Sequence, residues 1–294
     1  MRKSTQTIFW NAVLFCIMLT ACTSNELAPV KGEKSLEFTI TNYVQQDFDE
    51  TTRSVPISES TVVTHLAFGV FDESTGKMKG ALQVADKGSE GYGTFTVNLP
   101  YGNYRLVFLG YGSDKTCHMD SPECIYFDEE YVPQTFLSTQ SLIVDEKTSL
   151  QTNITLHRRM SAFRMLITDT IPGKANTFCF ETAGGGTVLN ALTGLAAEKA
   201  GRKAVIDIPD SYKGKTNNSV TMYLFLTGAS ESMDVKVSAT DTLNKVIVGR
   251  TFSAVPMKVN KLTVAKGPFF AGLAYDFSMM EIDDGWGETE YINY

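Results

Sequence analysis

The chain has 294 residues, of which 26 are basic and 33 acidic, and its formal net charge is −7. This length allows one large domain or two ordinary ones, and Val, Thr, Tyr and Phe dominate the apolar segments, which is a strand-forming composition. Because no block of basic residues interleaves with aromatics, nucleic acid is excluded as an expected partner.

The N-terminus has the pattern of a lipoprotein signal peptide. An apolar run over residues 8–19 follows two basic residues. It is shorter than the about 20 residues of a membrane span, but it suits the core of a secretory signal. Cys22 comes directly after the small residue Ala21. We therefore predict a signal peptide over 1–21, lipidation of Cys22 by acyl chains such as palmitate, and an exported, tethered protein. The alternative is an ordinary secretory signal.

A tether and one strand are predicted to follow the lipid. Residues 23–34 are polar and have the composition of a flexible tether. Apolar and polar residues then alternate, which places Leu36, Phe38 and Ile40 on the buried face of a strand.

Arg53 has two interpretations. It is either an exposed linker residue or the cleavage site of a trypsin-like surface protease, which would cut before Ser54 in an accessible segment. Cleavage would separate the lipid and the strand, as a propeptide over 22–53, from the rest of the chain. Removal of the strand would leave an open sheet edge and an unfilled groove that demand a replacement strand.

The remaining sequence has many short strands separated by turns. This spacing favours all-β sandwiches with Greek-key connections over βαβ units, and we predict one domain over 54–168 and a second over 169–294. A weak helical pattern covers 189–200, where Gly194 interrupts it. The predicted strands are 62–71, 93–99, 104–111, 150–156, 160–168, 177–180, 203–208, 220–226, 233–238, 246–252, 259–265 and 273–282.

The cysteines after the tether allow more than one state. Cys117 and Cys124 flank a short loop segment and would either close a disulfide in an oxidising compartment or stay as free thiols. A metal site that includes His118 lacks a fourth ligand and the usual zinc spacing. Cys179 is interpreted as a small buried hydrophobe.

No catalytic constellation stands out in the sequence. His65 lies within a predicted strand, His118 lies in the cysteine loop and His157 precedes two arginines, and none has a nucleophile motif beside it. We therefore expect no catalytic residue, no metal and no cofactor, and an exported hydrolase is disfavoured.

Four features together resemble the fimbrillin superfamily, the subunits of type V pili in Gram-negative anaerobes. They are the lipobox that ends at Cys22, the Thr-Arg-Ser at 52–54, the hairpin segment 95–110, and the segment 255–267, which is similar to the family pattern VP-x-x-x-N-x-x-T-x-x-x-G. The resemblance implies two transthyretin-like β-sandwich domains, an outer-membrane lipoprotein, and removal of the N-terminal strand by proteolysis. It also implies that a neighbouring subunit's C-terminal strand, here within 273–282, refills the groove.

The expected function is therefore structural: a stalk or tip subunit of an adhesive fimbria at the cell surface. Its partners would be other pilus subunits (of the same or another kind), a trypsin-like surface protease, and the outer membrane through the lipid. Two alternatives stay open. One is a fimbrial anchor subunit that keeps its lipid. The other is a glycan-binding surface lipoprotein with exposed aromatics, for which Trp286, Tyr291 and Tyr294 are candidates.

Overall fold

A computed structural model describes residues 32–46, 52–149, 151–271 and 287–291. The described residues form strands and three short 3-10 helices, at Ile57–Glu59, Asp128–Glu130 and Asp210–Tyr212, which confirms the predicted all-β class. In chain order, the strands are β1 (Glu33–Gln46), β2 (Thr52–Pro56), β3 (His65–Asp72), β4 (Gln83–Asp86), β5 (Thr94–Pro100), β6 (Gly102–Tyr111), β7 (Cys117–Ser121), β8 (Cys124–Phe127), β9 (Thr135–Val144), β10 (Gln151–Arg158), β11 (Ser161–Ile167), β12 (Thr177–Thr182), β13 (Leu189–Asn190), β14 (Leu195–Ala196), β15 (Arg202–Asp207), β16 (Asn218–Leu224), β17 (Ser230–Thr240), β18 (Val246–Lys258), β19 (Lys261–Gly267) and β20 (Gly287–Tyr291).

An eight-stranded sheet from the N-terminal half folds back on itself. Its order is β2–β1–β10–β9–β6–β3–β4, and β5 pairs with β1 off this path. In a flat sheet β1 and β3 would lie about 19 Å apart, because neighbouring strands are about 4.8 Å apart. The rings of Phe38 in β1 and Phe68 in β3 are instead 5.5 Å apart between centroids. The sheet therefore curls around a core and buries its inward aromatic residues there.

Two four-stranded sheets form a sandwich in the C-terminal half. Their orders are β16–β11–β19–β20 and β15–β12–β17–β18. Phe163 of β11 and Phe252 of β18 come from different sheets, and their ring centroids are 5.3 Å apart. The inner faces of both sheets therefore share one apolar core.

The change from the first sheet to the C-terminal sandwich falls earlier than the predicted boundary at 168. β10 ends at Arg158 in the first sheet, whereas β11 begins at Ser161 and pairs with β16 and β19. Residues 161–167 therefore belong to the C-terminal sandwich. The division into two domains stays a prediction.

A further sheet joins the two halves of the chain. Its order is β14–β13–β8–β7, so that each half contributes one hairpin. Beside it lies an apolar cluster that includes Leu109 and Ile125 from the first half and Leu189 and Phe225 from the second. The halves are thus connected through a shared core as well as through the chain.

The helix predicted over 189–200 is wrong, because this segment forms the β13–β14 hairpin. The side-chain oxygen of Asn190 accepts hydrogen bonds from the N–H groups of Leu192 and Thr193, at 2.9 and 3.3 Å. Gly194 has a φ of +71°, which glycine adopts without strain. The asparagine and the glycine thus form a tight turn that ends any helix.

Candidate functional site

β1 runs through the interior of the first sheet although it lies near the N-terminus. On one side it pairs in parallel with β10. On the other side it pairs antiparallel with β5 over its first half and with β2 over its second half. Both edges of β1 are therefore hydrogen-bonded, and residues 47–51, which connect it to β2, lie outside the described residues.

The inward face of β1 is an integral part of the core. Leu36, Phe38 and Ile40 are each 1% exposed, and the Phe38 ring lies 5.5 Å from the rings of both Phe68 and Phe108. Burial of each such side chain contributes about 1.5–3 kcal/mol by area. Loss of β1 would open a long apolar groove between β10 and β5.

A β-bulge changes which residues of β1 face inward. The register with β10 shifts between Ile40 and Asn42, so that Tyr43 is buried although strict alternation would place it outside. Its ring packs against Phe136 at 4.8 Å. At the same point β1 exchanges β5 for β2 as its neighbour, and the Ile40 N–H donates to the Gly93 carbonyl at 2.7 Å.

Arg53 and Ser54 lie in β2, where they pair with Gln45 and Val44 of β1. The expectation that Arg53 lies in an exposed connection is corrected here, because its backbone is part of a strand at the sheet edge. Proteases bind their substrates in extended form, so β2 already has a suitable conformation. It must still separate from β1 before a protease can reach the Arg53–Ser54 bond, which requires local opening of the edge.

Several predicted positions lie outside the described residues: Cys22, the strand over 273–282, Trp286 and Tyr294. In the part of the chain that the structure describes, no helix is long and apolar enough to cross a bilayer. Near the C-terminus the structure instead gives β20, which pairs in parallel with β19 at the edge of its sheet. Sequence alternation did not indicate this strand.

The disulfide between Cys117 and Cys124 is not formed, and both cysteines are free. In the β7–β8 hairpin, Cys117 pairs with Phe127, whereas Cys124 pairs with Ser121. The two cysteines therefore lie roughly 10 Å or more apart along the hairpin, beyond the about 7 Å between Cα atoms that a disulfide tolerates. Burial raises the pKa of the Cys117 thiol to about 12, so it stays protonated and unreactive.

The imidazole of His65 lies between the hydroxyl of Thr64 and the carboxylate of Asp86, an arrangement similar in composition to a catalytic triad. Its Nδ1 is 2.8 Å from Oγ1 of Thr64, and its Nε2 is 3.5 Å from Asp86. A nucleophilic triad needs a buried carboxylate that orients the imidazole, but the Asp86 side chain is 73% exposed. This arrangement is therefore a solvated surface pair, and the imidazole stacks on Tyr111.

The other two histidines have separate surroundings. His118 lies 2.8 Å from Asp128 and stacks on Tyr126. Burial, and secondarily the charge of Arg159, lower the pKa of His157, which favours its neutral form at pH 7. Within the described ranges, no group of three or more His, Cys, Asp or Glu side chains is placed to hold a metal ion.

A clamp that sequence reasoning missed fixes the chain just after β19. The Asp169 carboxylate accepts hydrogen bonds from the N–H groups of Phe269, Phe270 and Ala271, at 2.8, 2.8 and 2.6 Å. Arg250 donates to the carbonyls of Phe269 and Ala271 at 3.0 and 2.7 Å. Because Asp169 lies about a hundred positions before its partners, no local sequence pattern predicts the contact. This arrangement, here named the exit clamp, fixes the backbone of residues 269–271, just after β19.

No protein-family model matches the sequence, and no curated protein sequence matches it either. Among solved structures, a candidate adhesin from Bacteroides ovatus is 12% identical, with 80% of this chain and 88% of that chain covered and a TM-score of 0.49. The fimbrial anchor protein Mfa2 of Porphyromonas gingivalis is 12% identical, with 74% and 82% covered and a TM-score of 0.38. The tip fimbrial protein Mfa3 of the same organism, with a C-terminal truncation, is 15% identical, with 75% and 81% covered and a TM-score of 0.34. The likeness extends to the fold alone.

Proposed function

We propose that this chain is a non-enzymatic subunit of an adhesive fimbria of the type V kind, assembled at the cell surface by protease-triggered strand exchange. The observation that carries the proposal is the position of β1. A strand close to the N-terminus lies between β10 and β5 with its inward face in the core. A single cut in the chain that follows such a strand makes it exchangeable, because it removes the covalent link to the rest of the fold.

Cleavage at Arg53 would break the covalent link but leave β1 bound. Three ladders and four buried side chains hold it, so its spontaneous loss is slow and the cut chain stays folded. A strand from a neighbouring subunit that pairs with the same edges and fills the same apolar positions then replaces it. The groove between β10 and β5 thus holds β1 in the precursor and the neighbour's strand after assembly.

The direct test of this mechanism is the substitution Arg53→Ala. The uncut chain should form no SDS-resistant ladders on cells, whereas the natural chain forms them after cleavage before Ser54, which N-terminal sequencing detects. Arg105→Ala is the matched control, because this arginine pairs with Glu73 at 2.6 Å, far from β2. Ladders formed by the Arg53→Ala chain would rule out cleavage at this bond as the trigger and would favour the lipid-retaining anchor.

Lipidation at Cys22 is tested separately. We expect Cys22→Ala to abolish fatty-acid labelling and surface tethering while the fold of residues 54–294 is unchanged, since acyl chains supply membrane affinity without contributing to the core. Metabolic labelling measures acylation, and circular dichroism of the purified chain measures folding. Undiminished labelling of the variant would show that the lipid is attached elsewhere.

A further inference from the structure

A cleft on the body of the protein is lined by no residue of β1 or β2. It consists of two cavities, of about 570 and 560 Å³, which are neighbours because Tyr131 and Tyr223 line both. The first cavity lies between β15 and β16, the edge strands of the two C-terminal sheets, and the second adjoins β3 at His65. We call these two cavities together the tyrosine cleft.

A buried arginine without a counter-ion lines the first cavity. Arg202 is 7% exposed, and its Nη1 donates to the Glu130 carbonyl at 2.6 Å. Among the described residues no carboxylate forms an ion pair with it, and its Nε has no hydrogen-bond partner. Burial lowers its pKa to about 10, so it is still charged at neutral pH. A buried charge that is hydrogen-bonded but not ion-paired is costly, and an anionic ligand would supply the missing counter-ion.

The wall of the cleft holds strained backbone. Glu129 and Glu130 have φ values of 59° and 53°, and residues other than glycine adopt this region only at a cost. The turn directs the Glu130 carbonyl at Arg202 and is followed directly by Tyr131, which is 39% exposed. An exposed tyrosine ring beside a buried cation combines an apolar stacking surface with a charge-specific contact.

We propose that the tyrosine cleft binds an acidic polysaccharide, with a uronate carboxylate paired to Arg202 and a sugar ring stacked on Tyr131. Hydroxyl and amide groups around the cleft can exchange hydrogen bonds with sugar hydroxyls. The carboxylates at its rim are exposed, and they can accept hydrogen bonds from sugar hydroxyls. The hydroxyl and amide groups belong to Thr64, Ser113, Gln134 and Thr221, and the rim carboxylates to Asp114, Glu129, Glu130 and Asp207.

This site deepens the adhesive role proposed above, because it gives the chemical class of the surface to which the fimbria would adhere. It rests on none of the assembly steps, since neither β1 nor Arg53 lines the cleft. Binding can therefore be measured on the full, uncut chain. A chain that binds the polysaccharide but does not polymerise would support the binding site and not the assembly mechanism. A chain that polymerises but does not bind it would support the assembly mechanism and not the binding site.

The test is calorimetric titration of the full chain with hexagalacturonate and with its methyl ester, which keeps the rings and removes the charge. We expect the ester to bind about 10- to 100-fold more weakly, because it loses a charge-assisted hydrogen-bonded pair. Arg202→Met should cause a similar loss for the acid, whereas Arg105→Met, at a residue that lines neither cavity and pairs with Glu73, should change affinity by less than about twofold. Tyr131→Ala should weaken binding, and Tyr131→Phe should retain it.

Three results would overturn the proposal: equal affinity for acid and ester, no binding of either, or binding of hexaglutamate that depends on Arg202 and exceeds that of the sugar. The last result would identify a site for acidic peptides instead. If Arg202→Met does not fold, the comparison of acid with ester on the natural chain and the pair of Tyr131 variants still decide the question.

Discussion

The substitution Phe38→Ala should lower the free energy of unfolding by about 3–5 kcal/mol, the usual cost of removing a buried phenylalanine. The ring is 1% exposed and lies 5.5 Å from the rings of Phe68 and Phe108, so its loss leaves a cavity where three aromatic side chains meet. This is a large share of the about 5–15 kcal/mol that stabilises an ordinary domain. Urea denaturation of the uncut chain measures the change.

Thr39→Ala is the control for this experiment, because Thr39 lies next to Phe38 on the opposite, half-buried face of β1. We expect it to cost less than about 1 kcal/mol. A loss for Phe38→Ala no larger than that of the control would show that β1 does not contribute to the core in solution, and the strand-exchange proposal would lose its structural basis.

Removal of the exit clamp should have the second large effect. Asp169→Ala leaves the N–H groups of Phe269, Phe270 and Ala271 without their acceptor, and we expect a loss of about 2–4 kcal/mol, since partly buried donors lose charge-assisted bonds. Faster hydrogen exchange at these three amides is the specific readout. Asp169→Asn keeps one acceptor oxygen, so its stability and its exchange rates at these amides should lie between those of the natural chain and those of Asp169→Ala.

Asp241→Ala is a suitable comparison, because this aspartate also accepts two backbone N–H groups but lies in an exposed turn. It should destabilise by less than about 1 kcal/mol and leave exchange at 269–271 unchanged. Unaltered protection of those amides in the Asp169→Ala chain would contradict the clamp. The clamp also bears on truncation of the C-terminus. A deletion after Pro268 removes the buried Phe269 and all three amides that Asp169 binds, whereas a deletion after Ala271 retains them.

Local patterns were enough to predict much of the fold. The alternation of apolar and polar residues over 36–40 correctly predicted the inward face of β1, because successive side chains of a strand point to opposite faces. Composition and turn spacing gave the all-β class. The helix predicted over 189–200 failed because two residues, Asn190 and Gly194, form a turn that outweighs a weak propensity.

Long-range pairing was not accessible from local patterns. β1 pairs with β10, more than a hundred residues later, and nothing in either segment specifies this partner. The disulfide interpretation failed for a related reason, because the hairpin register, which no spacing rule gives, separates Cys117 from Cys124. Arg202 and Asp169 bind backbone groups that are distant in sequence. From the sequence alone, neither could be distinguished from an ordinary charged surface residue.

The bonds that hold β1 between β10 and β5 respond to force differently from the bonds that hold β2 at the sheet edge. Tension along the strand axis would load its bonds to β10 and β5 together, in shear, so that many must break at once. β2 lies at the edge and is joined to the sheet through β1 alone, so a pull away from the sheet opens its bonds one after another, as in a zipper. In the proposed fibre, a strand in the position of β1 would therefore bear a lengthwise load, while the proposed protease would peel the neighbouring edge strand from the side.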